Sequence, residues 1–197
     1  MKLPSLHEAS SLRIAYTDPA IHTTLTSHLG RTMSRLYNRR QIAVVCIGTD
    51  RSTGDALGPL IGTALHKYAC PLFELYGTLE SPVHAMNLEE TMAQIDREMD
   101  NPFIVGIDAC LGQVSSVGSI QIGLGPVRPG AGVNKELPPV GDMHITGIVN
   151  VGGFMEYFVL QNTRLHLVMS MSDIISTSLL HAILSLERTV MPAVTLE

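Results

Sequence analysis

Residues 42–48, IAVVCIG, form an unbroken apolar run rich in β-branched side chains. A strand without polar alternation has to be covered on both faces, which is the arrangement of a parallel sheet sandwiched between helices. The run stops in TDRSTGDALGP, a polar turn with two glycines, and Leu57 to Tyr68 reads as the helix that follows. The alternation then continues. Leu72 to Leu79 reads as a second strand, broken by Pro82, and His84 to Met99 as a helix with Leu88, Met92, Ile95 and Met99 on one face. Phe103 to Ile107 is a third strand ending in Asp108, and Ser119 to Leu124 alternates as a fourth. Gly125 to Gly147 reads as a long Gly/Pro-rich loop, of a length that compact domains usually keep for function. A short helix over Gly153 to Leu160, a last strand over Leu165 to Met169 and a long helix opened by Ser172 and Asp173 complete the pattern.

Ahead of the first strand, Asp18-Pro19 has the form of a helix start, with Asp18 as N-cap. The helix spans 18–37, and Arg35, Arg39 and Arg40 at its C-terminal end complement its dipole. Residues 1–17 read as a loose arm. The expected fold is one α/β domain over 1–197. It is a three-layer α/β/α sandwich with a mostly parallel, mixed central sheet, phosphorylase/hydrolase-like in layout.

Composition narrows the function classes. The chain is 45% hydrophobic and 16% charged, so it can bury a real core and is not globally disordered. Its net charge of -5 argues against a nucleic-acid partner. No apolar run approaches the ~18–20 residues needed to span a bilayer. The N-terminal residues lack the apolar core of a signal peptide, so no membrane partner and a cytoplasmic location are expected. A mean hydropathy of +0.23 suggests a homo-oligomer. The three cysteines, Cys46, Cys70 and Cys110, form neither a zinc knuckle nor a disulfide framework and read as small buried residues.

In open α/β sheets the chemistry gathers outside the carboxyl ends of the strands. Asp50 and Asp55 follow the first strand, Asp108 ends the third, and Ser170, Ser172 and Asp173 follow the last. The long loop could deliver Asn134, Lys135, Glu136, Asp142 and His144 to the same edge. Asp55 also suits the N-cap of the next helix. GTDRSTGDALG is neither GxGxxG nor GxxxxGK[ST], and GxSxG is absent, so a P-loop and a serine elbow are both disfavoured. If Asp55 and Asp108 converge, two chemistries are open. Carboxylates within a few Å cannot both ionise and share a proton, one acting as base and the other as acid. Alternatively the pair holds a divalent metal, with His144 as third ligand.

These residues resemble a known family. CIGTDRSTGDALGPLIGT, Cys46 to Thr63, is similar to the signature of the YyaC-type sporulation proteins, and the resemblance runs over most of the chain. More distantly it resembles the bacterial spore germination protease, which degrades small acid-soluble spore proteins. DALGP (Asp55 to Pro59), VGIDA (Val105 to Ala109) and PGAGV followed by NK (Pro129 to Lys135) match three blocks of that protease in order. The chain is much shorter and aligns with its core alone.

The resemblance implies an aspartate-dependent endopeptidase of sporulating cells, with Asp55 and Asp108 as the catalytic pair and no cofactor. Its substrate would be a protein or peptide. The substrate-facing positions would be Gly48, Asp50, Gly130, Gly132, Asn134, Lys135 and Ser172. The layout is also similar to the hydrogenase maturation endopeptidases, where a carboxylate three residues before a Gly and a strand-end Asp bind nickel with a His. Asp55, three before Gly58, and Asp108 fit those carboxylate positions. From a different class comes a non-catalytic sporulation factor that binds a protein or peptide on the same scaffold.

Overall fold

The computed structural model describes residues 11–130 and 137–190. Six strands form one mixed sheet: β1 Leu12–Ala15, β2 Ile42–Cys46, β3 Phe73–Tyr76, β4 Phe103–Gly112, β5 Ser119–Leu124 and β6 Met143–Val151. The helices are α1 Ile21–Leu36, α2 Leu57–His66, α3 Leu88–Glu98, α4 Glu156–Gln161 and α5 Leu165–Val190. The strand order is β1-β5-β6-β4-β2-β3. Strands β3, β2, β4 and β6 are parallel, while β5 runs antiparallel to both β6 and β1. The fold is therefore α/β, with a mixed sheet flanked by helices.

The apolar run read first from the sequence is β2, and every one of its residues is buried. Its two faces enter different cores. Val44 and Cys46 pack with α1, α2 and α5, whereas Ala43 and Val45 pack with α3 and with Val127 and Val140. Helix α2 lies close on β2 because Gly58 faces the backbone of Ile47. A Cβ at Gly58 would collide with the Ile47 carbonyl oxygen. Arg40 meets the C-terminus of α1 as expected, donating to the Leu36 carbonyl at 3.2 Å, and pairs with Asp142 at 3.3 Å.

Several elements differ from the sequence expectation. Residues 12–15 of the expected arm are the edge strand β1, a short stretch whose side chains alternate between half-buried and exposed. Helix α1 begins at Ile21, and Asp18 instead accepts the Ala20 N–H at 2.8 Å in a turn ahead of it. Residues 143–147 of the expected loop belong to β6, which stands in the middle of the sheet. Leu165 to Met169 is the first part of the 26-residue helix α5, so Ser172 and Asp173 lie inside a helix rather than after a strand. An apolar run this short fits either state, and a continuous apolar face through Val168, Met171, Ile175 and Leu179 settles it as helix. α5 is long and apolar enough to cross a membrane by length and composition. It is the central helix of the larger core, packed on α1 and α2.

Ser178 in α5 is fully buried, and its hydroxyl has no hydrogen-bond partner among the described residues. An orphaned buried hydroxyl costs stability, and Ser is a poorer helix former than Ala. Ser178→Ala should therefore raise the unfolding free energy by about 1 kcal/mol, read from the urea midpoint at unchanged m-value.

Candidate functional site: a carboxylate pair at the sheet crevice

The strand order reverses between β2 and β4. The connection out of β2 leads outward to β3, and the one out of β4 leads the other way to β5. Such a switch point leaves a crevice beyond the strand ends. β2 pairs with β4 as far as Cys46 opposite Ile107, so Asp108 is the first β4 residue to outrun its neighbour. Asp108 lies inside β4 rather than at its end, with Thr146 of β6 opposite.

Asp55 comes from the turn between β2 and α2. That turn folds on itself: the Thr49 N–H donates to the Asp55 carbonyl at 3.1 Å, and the Ala56 N–H to the Ser52 carbonyl at 2.9 Å. Gly48 makes this closure feasible, since a Cβ there would collide with the Asp55 carbonyl oxygen. Helix α2 has Ala56 as N-cap and no side-chain cap, so the Asp55 carboxylate is not spent on capping. α4 is clamped to the turn by the Gly54 N–H donating to the Leu160 carbonyl at 2.8 Å.

Both carboxylates face one cavity of about 340 Å³. Its walls include Gly48, Thr49 and Ser52 of the β2–α2 turn, His84 from the segment before α3, Gly130, and Tyr157 of α4. A larger groove of about 730 Å³ runs along α1 and α5, and no carboxylate lines it.

Burial is the main cause of the electrostatics. Asp108 is held well above the usual carboxylate range by desolvation first, then by the negative charge of Asp55; the Ala109 N–H, donating to its Oδ1 at 2.8 Å, works the other way. Asp55 is raised by burial. Of the two, Asp108 is the more strongly shifted toward its protonated form. Burial also pushes the Cys110 thiol, on the same strand, up to about 11, opposed by the Thr146 hydroxyl; it stays a thiol at neutral pH.

Of the residues expected at the site, Asp55, Asp108, Gly48 and Gly130 line the cavity. Gly132, Asn134 and Lys135 lie outside the described residues. Asp50 is exposed in the turn and is not among the lining residues. Ser172 is buried inside α5, 1% exposed, and does not reach the cavity. His144 sits within β6, its Nδ1 within 2.9 Å of the Gly125 carbonyl, and is not on the cavity wall. No group of three His, Cys, Asp or Glu residues among those described is arranged to hold a metal ion. The expected ligand set Asp55, Asp108 and His144 is therefore not assembled.

The sequence reading passed over His84, Ser52 and Tyr157. His84 was legible in principle: it follows the second strand, after Pro82 and Val83, and so belongs to the same row of strand-end positions. Ser52 and Tyr157 carried no comparable signal.

The profile of the family described as "Protein of unknown function (DUF1256)" matches residues 13–178. The chain belongs to the DUF1256 family. It is 54% identical over 170 residues to "Uncharacterized protein YyaC" of Bacillus subtilis (strain 168), covering 84% of this chain and 80% of that protein. Among solved structures it is similar to the [NiFe] hydrogenase maturation protease HycI from Thermococcus kodakarensis KOD1. That match has a TM-score of 0.46 at 16% identity, over 75% of this chain and 97% of the other.

In this DUF1256 protein the raised carboxyls make a pH prediction. A carboxyl whose folded pKa exceeds its unfolded one stabilises the fold fully below the ordinary carboxylate range, and that stability is lost as pH rises through the folded pKa. Asp108→Asn keeps the acceptor for Ala109 and removes the ionisation. It should raise Tm at pH 7, by roughly 2–4 °C per kcal/mol released, and the gain should vanish near pH 3. Paired thermal scans of the two proteins check both points.

Proposed function

We propose that this protein is a peptidase that uses Asp55 and Asp108 as a base and acid pair, acting on a protein or peptide in the cytoplasm of a sporulating cell or spore. One observation carries the reading: two carboxyls, both raised by burial, meet in one cavity at the crevice between β2 and β4. Asp55, the less strongly raised, takes a proton from water as the water oxygen attacks the scissile carbonyl carbon. Asp108 holds the proton of the pair and gives it to the leaving nitrogen as the C–N bond breaks. Water and peptide become acid and amine, and the pair ends with the one proton it began with, now on Asp55. Proton exchange between two neighbouring carboxyls resets the site. Both proton transfers are carried by the two carboxyls themselves.

A second reading, a non-catalytic factor that binds a polypeptide, is favoured by the cavity rim. Met86 and Tyr157 line the cavity and are 84% and 60% exposed, and Phe154 and Phe158 beside Tyr157 in sequence are exposed as well. Exposed apolar side chains around a cavity suit an unfolded chain with or without cleavage.

The purified protein is incubated with small acid-soluble spore proteins and with a random peptide mixture, with and without chelator. The expected result is cleavage that chelator does not change and that falls at least 10³-fold in Asp55→Asn and in Asp108→Asn, within the range for removing a catalytic group. Cleavage that chelator abolishes would overturn the metal-free chemistry. Absence of cleavage, with peptide binding retained in both variants, would establish the binding factor instead.

A further inference from the structure

His84 is not needed by the carboxylate pair as described, yet it stands on the wall of the same cavity. Its placement is built in. Ile47, which continues β2, forms a parallel bridge with Val83, and the Gly48 N–H donates to the Val83 carbonyl at 2.8 Å. The residue after Val83 is thus tied to the strand end that launches the Asp55 turn. The turn holding His84 is also braced: its own N–H donates to Asn87 Oδ1 at 2.7 Å, and Asn87 Nδ2 donates to the Pro82 carbonyl at 3.0 Å.

The ring has a defined polarity. His84 Nδ1 accepts the Met86 N–H at 3.3 Å, so in the neutral ring the proton sits on Nε2. Nε2 has no partner among the described residues, and the ring forms no ion pair with Asp55 or Asp108. His84 thus shares the cavity of about 340 Å³ with both carboxyls, its Nε2 unengaged by any described residue. Ser52 lines the same cavity; it is 5% exposed, and its hydroxyl is closed to solvent and has no partner among the described residues.

We propose that His84 is the third catalytic residue of this site. Its Nε2–H hydrogen-bonds the scissile carbonyl oxygen across the cavity from the carboxyl pair and stabilises the negative charge that grows there. This role rests on the peptidase reading and adds what that reading lacks, a donor for the oxyanion. The electron pair of the C=O π bond moves onto oxygen as water attacks, is held by the Nε2–H, and returns when the C–N bond breaks. The imidazole keeps its proton throughout, while Asp55 and Asp108 carry the protons that move. The substrate class is a peptide bond in an extended segment, whose carbonyl can enter between His84 and the pair.

The test compares wild type with His84→Ala and His84→Gln on the peptide that the wild type cleaves best from the random mixture, with folding checked by thermal melts. His84→Ala should lose about 10²–10³ in kcat, the range for removing one oxyanion donor, with KM changed less than threefold. His84→Gln, whose side-chain amide can place an N–H near the Nε2 position, should recover at least tenfold of that loss. A purely structural role would not show this split or this rescue. His84→Ala within threefold of wild type, or Ala and Gln variants equally impaired, would overturn the role of His84 and leave the carboxylate pair standing. Failure of the wild type to cleave any peptide would overturn the peptidase reading and this inference together.

Discussion

The contact on which the rest of this protein depends is one of backbone against backbone, where Gly58 at the start of α2 meets Ile47, the residue just after β2. With no side chain between them, the helix settles directly on the strand that precedes it. The turn from Gly48 to Ala56 must then close within a short span, and it does so through hydrogen bonds from Thr49 to the Asp55 carbonyl and from Ala56 to the Ser52 carbonyl. That closure brings Asp55 over the end of the sheet. A larger residue at Gly58 would lift α2 from the sheet and carry the carboxylate away from β4. The geometry of the pair is thus set by packing several residues from either aspartate.

The second half of the pair is placed by a difference in strand length. β4 continues past the last residue of β2, so Asp108 keeps its strand geometry while losing its neighbour on that side. The side chain remains half-buried, under desolvation and beside a second carboxyl. This is an arrangement that folding alone does not favour, since the ionised pair is costly and neutral replacements would ease it. Its place in a cavity, with the Ser52 hydroxyl and the His84 Nε2 unpartnered among the described residues, marks it as a candidate site.

How much was legible in the sequence follows from which signals are local. β2 and the first part of β4 read correctly, because β-branched runs without alternation have few alternatives. Asp108 stood out as the polar residue directly after such a run, and Asp55 as the carboxylate in the glycine-bearing turn that follows the other. β6 was missed because its residues, MHITGIVNV, include His, Thr, Gly and Asn, and it is a strand through its pairing with β4 and β5. β1 is likewise a strand only because β5 lies beside it. The reading of Leu165 to Met169 as a strand failed because five residues, four of them apolar, are too few to show a period; the face that continues through Leu179 decides the matter.

The sequence by itself determined the α/β class, the strands β2 and β4 and the two carboxylates associated with them, because burial on both faces and glycine-bearing turns are written into neighbouring residues. Only the tertiary structure decided which histidine shares a cavity with those carboxylates. The sequence favoured His144, but β6 inserts beside β4 and turns that ring toward the Gly125 carbonyl, while the bridge from Ile47 to Val83 holds His84 on the cavity wall. That choice is made by strand order and register between segments far apart in sequence, and no local pattern encodes it.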